Sequence, residues 1–316
     1  MKAFAVPRYG TAPAMLDLSE PPLGPELVAR VRFAGVNAVD WKSIGRLTEA
    51  DMFPCVLGQD FAGIATHVEG DPAVARDDRV FGIASTYGSY AEKTRLPSVM
   101  RGEIFARIPE GLSDEQAAAL PTPGLTALAA LDALEVGANT TLMILGAGGG
   151  LGSYAMQIAK ARGATVVAIV RGGIEDAYTL GADKAIDAGA VDPIPVVRAL
   201  YPSGVDAILD VVSSPEAIVR VAGALVRHGR IVSTIRAFND LSEKRLREAG
   251  CHGRNVNLFE TPQASADGLT RLAEMVLEGT VRVRIKEIRP LAEAGHVLER
   301  THGSASGGHT ILQANA

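Results

Sequence analysis

The sequence predicts an α/β chain in two units, a mostly β unit followed by one built on a doubly wound parallel sheet. Up to about residue 110, short apolar runs alternate with Pro, Gly and Asp clusters. From Ser113 the composition turns helical, and beyond residue 140 short apolar runs alternate with helical stretches, the order that parallel crossovers produce. The length of 316 residues also exceeds the roughly 100 to 200 of a single domain.

In the first unit, the runs at 27–33, 61–67 and 79–83 read as strands. Ser113 is an N-cap candidate with Asp114 and Glu115 in the following turn, opening an Ala/Leu-rich helical segment interrupted at 121–124. In the second unit, residues 141–145, 166–170, 205–212 and 230–235 are strand candidates separated by helical stretches. Beyond Cys251 a loop is expected, then a helix at 267–278 and β-like runs at 281–288 and 309–312, a tail assigned back to the first unit. The expected division is 1–118, 119–255 and a returning segment 256–316.

Apolar residues make up 47% and charged residues 21%, ordinary for a globular protein, and the net charge is -5 with scattered basic residues. Nucleic acid and anionic membrane are therefore not expected partners, which leaves a small molecule. The start MKAFAVPRYGT is not an export signal, and the uncharged stretch 136–159 carries Asn139, Gln157 and six glycines, a poor membrane helix. Cys55 and Cys251 are the only cysteines, in no metal-ligand spacing, so a reducing cytoplasm is the expected home.

In TLMILGAGGGLGSYAMQIAKARGA, a β run meets a glycine-rich turn and then a helix with Leu151, Ala155, Ile158 and Ala159 on one face. Glycine lets the backbone turn sharply and approach a pyrophosphate, which the helix N-terminal amides stabilise. Gly146, Gly148, Gly149, Gly150, Leu151 and Gly152 are therefore candidate dinucleotide contacts. The next strand ends in Val170-Arg171-Gly172-Gly173, where NAD sites carry an acid for the ribose hydroxyl. A guanidinium there favours NADPH; the alternative is a solvated Arg171 with Glu175 or Asp176 on the ribose. The six histidines show no paired spacing and read as structural or surface groups.

An ordered set of stretches resembles the medium-chain dehydrogenase/reductase superfamily, in its zinc-free quinone oxidoreductase branch, over nearly the whole chain. They are GVNAVDWK (35–42), VLGQDFAG (56–63), DRVFG (78–82), GSYAEK (88–93), LSDEQAAALPTPGLTA (112–127), the glycine turn, LGADKAID (180–187) and GVDAILDVV (204–212). The resemblance implies a GroES-like β domain facing a Rossmann domain, the nicotinamide in the cleft between them, and commonly a homodimer. Zinc-dependent relatives carry Cys where this chain has Asn37, a His-Glu pair where it has Gln59-Asp60, and a four-Cys lobe that two distant cysteines cannot make, so no metal is expected.

By the same match Asn37 lies near nicotinamide and substrate, as polarising amide or as turn residue, and Lys42 by cofactor and substrate, or as solvated loop cation. Asp40 reads as the organiser of that loop. Trp41 and Tyr87 are candidate walls of the substrate pocket. Thr126, Thr234 and Ile235 match the nicotinamide end. Related reductases hold the 2'-phosphate with a Lys and a Tyr where this chain has Gly173 and Ala188, leaving Tyr178 as a candidate ribose contact. The function implied is hydride transfer from NADPH to a quinone or α,β-unsaturated carbonyl; a biosynthetic enoyl or ketone reductase and a non-enzymatic NADPH-binding protein remain open.

Overall fold

The computed structural model describes residues 1–21, 27–69, 73–84, 88–96, 104–301 and 307–314. The chain begins with β1 (Lys2–Val6), β2 (Ala14–Asp17), β3 (Leu27–Gly35), α1 (Ala38–Ile44), β4 (Cys55–Val56), β5 (Asp60–His67), β6 (Arg79–Ile83), β7 (Lys93–Leu96) and β8 (Ile104–Arg107). It crosses over through α2 (Asp114–Ala119) and α3 (Pro121–Ala133). Ser113 caps α2 as its sequence context predicts, its Oγ accepting from Gln116 N–H. Pro121 does not interrupt a helix but starts one, because its missing N–H costs nothing at the first helical position.

The middle of the chain alternates β9 (Thr141–Leu145), α4 (Gly150–Ala161), β10 (Thr165–Val170), α5 (Ile174–Thr179), β11 (Lys184–Asp187), α6 (Pro193–Leu200), β12 (Val205–Asp210), α7 (Ile218–Ala222), β13 (Leu225–Ser233), α8 (Asp240–Glu248) and β14 (His252–Asn255). Its strands form a six-stranded sheet in the order β11-β10-β9-β12-β13-β14, every neighbour parallel. This is the Rossmann order, with the reversal of direction between β9 and β12. Leu142 and Ile144 face one apolar cluster while Met143 and Leu145 face another. Burial on both faces is why β9 reads as an unbroken apolar run.

The chain ends with α9 (Ala266–Leu277), β15 (Ile285–Pro290), α10 (Ala294–Thr301) and β16 (His309–Gln313). β16 pairs antiparallel with β3 and parallel with β15, completing a seven-stranded sheet β15-β16-β3-β5-β6-β8 to which β7 adds on β3. Phe33, Phe81 and Ile83 of that sheet share one core cluster with Leu125, Leu142 and Tyr154, so the seam between the two sheets is apolar and closely packed.

Two edge strands depart from the sequence expectation. Residues 252–255 were expected in a loop yet pair with β13, and residues 184–187 pair with β10. HGRN has no apolar alternation, and KAID is nearly as polar, so their strand state comes from main-chain pairing to a buried neighbour. β15 begins four residues later than the expected run at 281. Among the described residues no helix is long and apolar enough to cross a membrane.

Candidate functional site

The turn between β9 and α4 is closed by backbone alone. Gly146 N–H and Ala147 N–H both donate to the carbonyl of Ile169, at 3.1 Å each, and Gly149 N–H donates to Gly146 O. Gly146 sits at φ 79°, and a Cβ there would come within 2.7 Å of the Val211 and Val212 side chains. Gly152 is tighter: its Cβ would lie 2.3 Å from Gly146 O and 2.7 Å from Ala147 Cα. Helix α4 is thereby pressed onto the turn, with Gly149 in extended conformation at its N-cap and the first amides of the helix facing out. A glycine-rich cradle opening on a 12-residue helix's N-terminus suits a pyrophosphate. The half-buried Leu151 side chain packs against the core.

On the far side of Gly150 stands His309, the first residue of β16, its ring stacked on Tyr154 with centroids 4.9 Å apart. Burial lowers its imidazole to about 4, so the ring is neutral. Beside the turn a recess of about 220 Å³ is lined by Gly148, Arg171, Gly172, Gly173, Asp176 and Arg284, among others. The Arg171 side chain is exposed there, and Asp176 Oδ2 accepts from Arg284 Nη2 at 2.8 Å. Tyr178 is not part of this lining; its hydroxyl accepts from Ala185 N–H at 3.4 Å, back toward β11.

The second part of the site lies where β5 meets the start of α3. Asp60 is fully buried and its carboxylate accepts from Asn37 Nδ2 at 2.8 Å, from Thr122 N–H at 3.0 Å and from Thr122 Oγ1 at 2.5 Å. Asn37, the N-cap of α1, donates its own N–H to Asp40 Oδ2 at 2.7 Å, and Tyr90 donates its hydroxyl to the same oxygen at 2.8 Å. Asp40 thus organises the loop, as its place in the sequence suggests. Burial raises both carboxyls, Asp40 and Asp60, to about 7, against the opposing pull of these donors.

A carboxyl whose native pKa lies above its unfolded value of 3.8 binds its proton more tightly in the folded state. Its contribution to stability is therefore full below that value and is lost as pH rises through about 7. Urea unfolding should show wild type losing at least about 1 kcal/mol relative to Asp60→Asn between about pH 5 and pH 8. Parallel stability curves would mean that Asp60 titrates alike in both states.

Lys42 holds its Nζ 5.5 Å from the Trp41 ring centroid, and Trp41 packs against the core of the seven-stranded sheet. Tyr87 lies outside the described residues. Thr126 is buried on α3 with its hydroxyl donating to Thr122 O at 2.6 Å, one helical turn from the Asp60 cluster. Thr234 and Ile235 follow β13, half-buried, with Thr234 N–H donating to Asp210 O. Asn37 and Thr126 thus share one hydrogen-bonded chain through Asp60 and Thr122, while the glycines and Arg171 gather at the turn.

Sequence reasoning passed over three contributors. Asp60 drew notice only as the position where zinc-dependent relatives carry a ligand, although a lone acid inside an apolar run is itself a signal of a buried partner. Thr122 carried no signal beyond its neighbouring prolines, and Arg284 none at all. Among the described residues no group of three or more His, Cys, Asp or Glu side chains is placed to hold a metal ion.

Residues 150–258 match the family model described as zinc-binding dehydrogenase. The chain is 28% identical to an NAD-dependent alcohol dehydrogenase of Saccharolobus solfataricus, with 99% of each chain covered. It is 27% identical to a quinone oxidoreductase of Sus scrofa, over 99% of this chain and 97% of that one. Among solved structures, the quinone oxidoreductase of Escherichia coli complexed with NADPH superposes with a TM-score of 0.88 at 23% identity, covering 99% of this chain and 100% of that one.

Proposed function

We propose that the chain belongs to the medium-chain dehydrogenase/reductase superfamily, in its quinone oxidoreductase-like branch, and that it reduces a quinone or an α,β-unsaturated carbonyl with NADPH and without zinc. Its architecture is the superfamily's GroES-like β domain with a Rossmann domain. The division at 118 and 255, with 256–316 returning to the first domain, belongs to the same proposal.

The observation that carries the cofactor choice is the recess beside Gly148, where the second strand ends in Arg171 and two glycines instead of a free acid. Asp176, the carboxylate that could take a ribose hydroxyl, accepts at Oδ2 from Arg284. Three relatives are named NAD-dependent, while two structural neighbours were solved with NADPH. The glycine cradle would take the pyrophosphate, Arg171 the 2'-phosphate, and Thr126, Thr234 and Ile235 the nicotinamide end; Tyr178 stands apart from this path.

Bound NADPH supplies the hydride. The chain's own part is to orient the acceptor and stabilise the charge that forms on its oxygen. Asn37 gives one amide N–H to Asp60, which fixes the amide plane and leaves the second N–H for a carbonyl or quinone oxygen. Lys42, above Trp41, adds a positive charge on the same loop, and Tyr87 with Trp41 would complete the pocket wall.

The residues do not suit zinc. Asn37, Gln59 and Asp60 stand where zinc-dependent relatives place soft or basic ligands, and the Asp60 oxygens already accept from Asn37 and Thr122. The matched zinc-dehydrogenase model covers 150–258, which leaves these residues out. Two unpaired cysteines, Cys55 and Cys251, fit work in the reducing cytoplasm, and we extend the reading to a homodimer there.

The test is equilibrium titration with both reduced cofactors, paired with metal analysis. NADPH should bind at least about tenfold more tightly than NADH, and Arg171→Ala should remove most of that preference. Equal affinities, an Arg171→Ala variant that keeps the preference, or one tightly held zinc per chain would overturn the corresponding part of the proposal.

A further inference from the structure

Arg284 reaches the cofactor recess from the far end of the chain. It immediately precedes β15, its carbonyl accepts from His309 N–H at 2.7 Å, and a Cβ on Gly308 would lie 2.5 Å from that same carbonyl. The backbone at 284 is therefore held against the last strand of the seven-stranded sheet. From there its guanidinium crosses to α5 of the Rossmann sheet, donating Nη2–H to Asp176 Oδ2 across 108 residues of sequence. Among the described residues Asp176 is its only side-chain hydrogen-bond partner, so one of five N–H donors is committed.

The recess needs a second cation. The loop after β10 offers Arg171 and then two glycines at φ 72° and 67°, so bare backbone follows the one charged side chain. A phosphate monoester carries about -1.5 to -2 charges at neutral pH, more than one guanidinium matches. Arg284 lines the same recess of about 220 Å³, and a planar fork can bind a carboxylate with one edge and a phosphate with the other.

We propose that Arg284 is a specificity-determining residue for the phosphorylated cofactor, donating together with Arg171 to the ribose 2'-phosphate while Asp176 holds it in place. The inference rests on the NADPH reading and adds to it a cation from the other sheet system. A phosphate gripped by both arginines ties the loop after β10 to the segment before β15, so NADPH should stabilise the two-domain arrangement more than NADH does.

The experiment is calorimetric titration of the full chain with 2',5'-ADP and 5'-AMP, two probes that differ by the phosphate in question. Wild type should bind 2',5'-ADP at least about tenfold more tightly. Arg284→Ala should weaken 2',5'-ADP by about tenfold and 5'-AMP by less than about twofold, with Arg284→Lys between the two. If Arg284→Ala loses 5'-AMP as well, Arg284→Gln and Arg284→Lys carry the comparison. A wild type that binds both probes equally overturns the NADPH reading and this inference with it. A wild type that prefers 2',5'-ADP, with the preference intact in the Arg284 variants and lost in Arg171→Ala, overturns the role of Arg284 alone.

Discussion

Gly152→Ala is expected to weaken NADPH binding by about a hundredfold and to lower stability by about 3 kcal/mol. The added Cβ would lie 2.3 Å from Gly146 O and 2.7 Å from Ala147 Cα, both backbone atoms that no rotamer change can clear. Relief requires α4 to lift off the turn. That movement breaks the Gly149 N–H to Gly146 O contact and misaims the first amides of the helix. Gly148→Ala is the control, since its Cβ would meet only Val170 Cγ1 at an ordinary 3.7 Å, and its unfolding midpoint should match wild type. Cofactor titration and thermal unfolding check both variants; a Gly152→Ala protein that binds NADPH within threefold of wild type would show that the turn is not the phosphate cradle.

Asn37→Ala is expected to lower turnover by about a hundredfold with little change in cofactor affinity, the usual cost of removing one charge-stabilising donor. Asp60 acts through Asn37, as a positioning residue. Removing its carboxylate leaves Asn37 Nδ2, Thr122 N–H and Thr122 Oγ1 without their acceptor in a buried place. Asp60→Ala should therefore cost about 2 to 3 kcal/mol of stability and slow turnover about tenfold, while the double variant is no slower than Asn37→Ala alone. Additive losses in kcat would separate the two residues, and an Asn37→Ala enzyme with wild-type turnover would remove the polarising role.

What could be read from the residues follows the range of the interactions. The glycine turn is local: strand, glycines and helix lie within some twenty residues, so composition and order carry the whole signal. Both faces of β9 are buried, which makes the parallel sheet visible as apolar runs, whereas β11 and β14 are short, polar edges whose pairing comes from their neighbours. Asp40 was legible because the backbone it holds, at Asn37, lies only three residues away. Asp60 meets Asn37 across 23 residues and Thr122 across 62, and Arg284 meets Asp176 across 108; no window of sequence holds both partners of such pairs. Tyr178, the candidate ribose contact near the second strand, has its hydroxyl turned toward Ala185, an orientation that no local pattern of sequence encodes.

The central claim, hydride transfer from NADPH to a quinone or enone, is tested most directly by following NADPH oxidation by the purified protein with a panel of both acceptor classes. At least one acceptor should be reduced well above background, and faster with NADPH than with NADH at equal concentration. Tight NADPH binding with no oxidation by any acceptor would contradict the claim and leave a cofactor-binding protein without turnover.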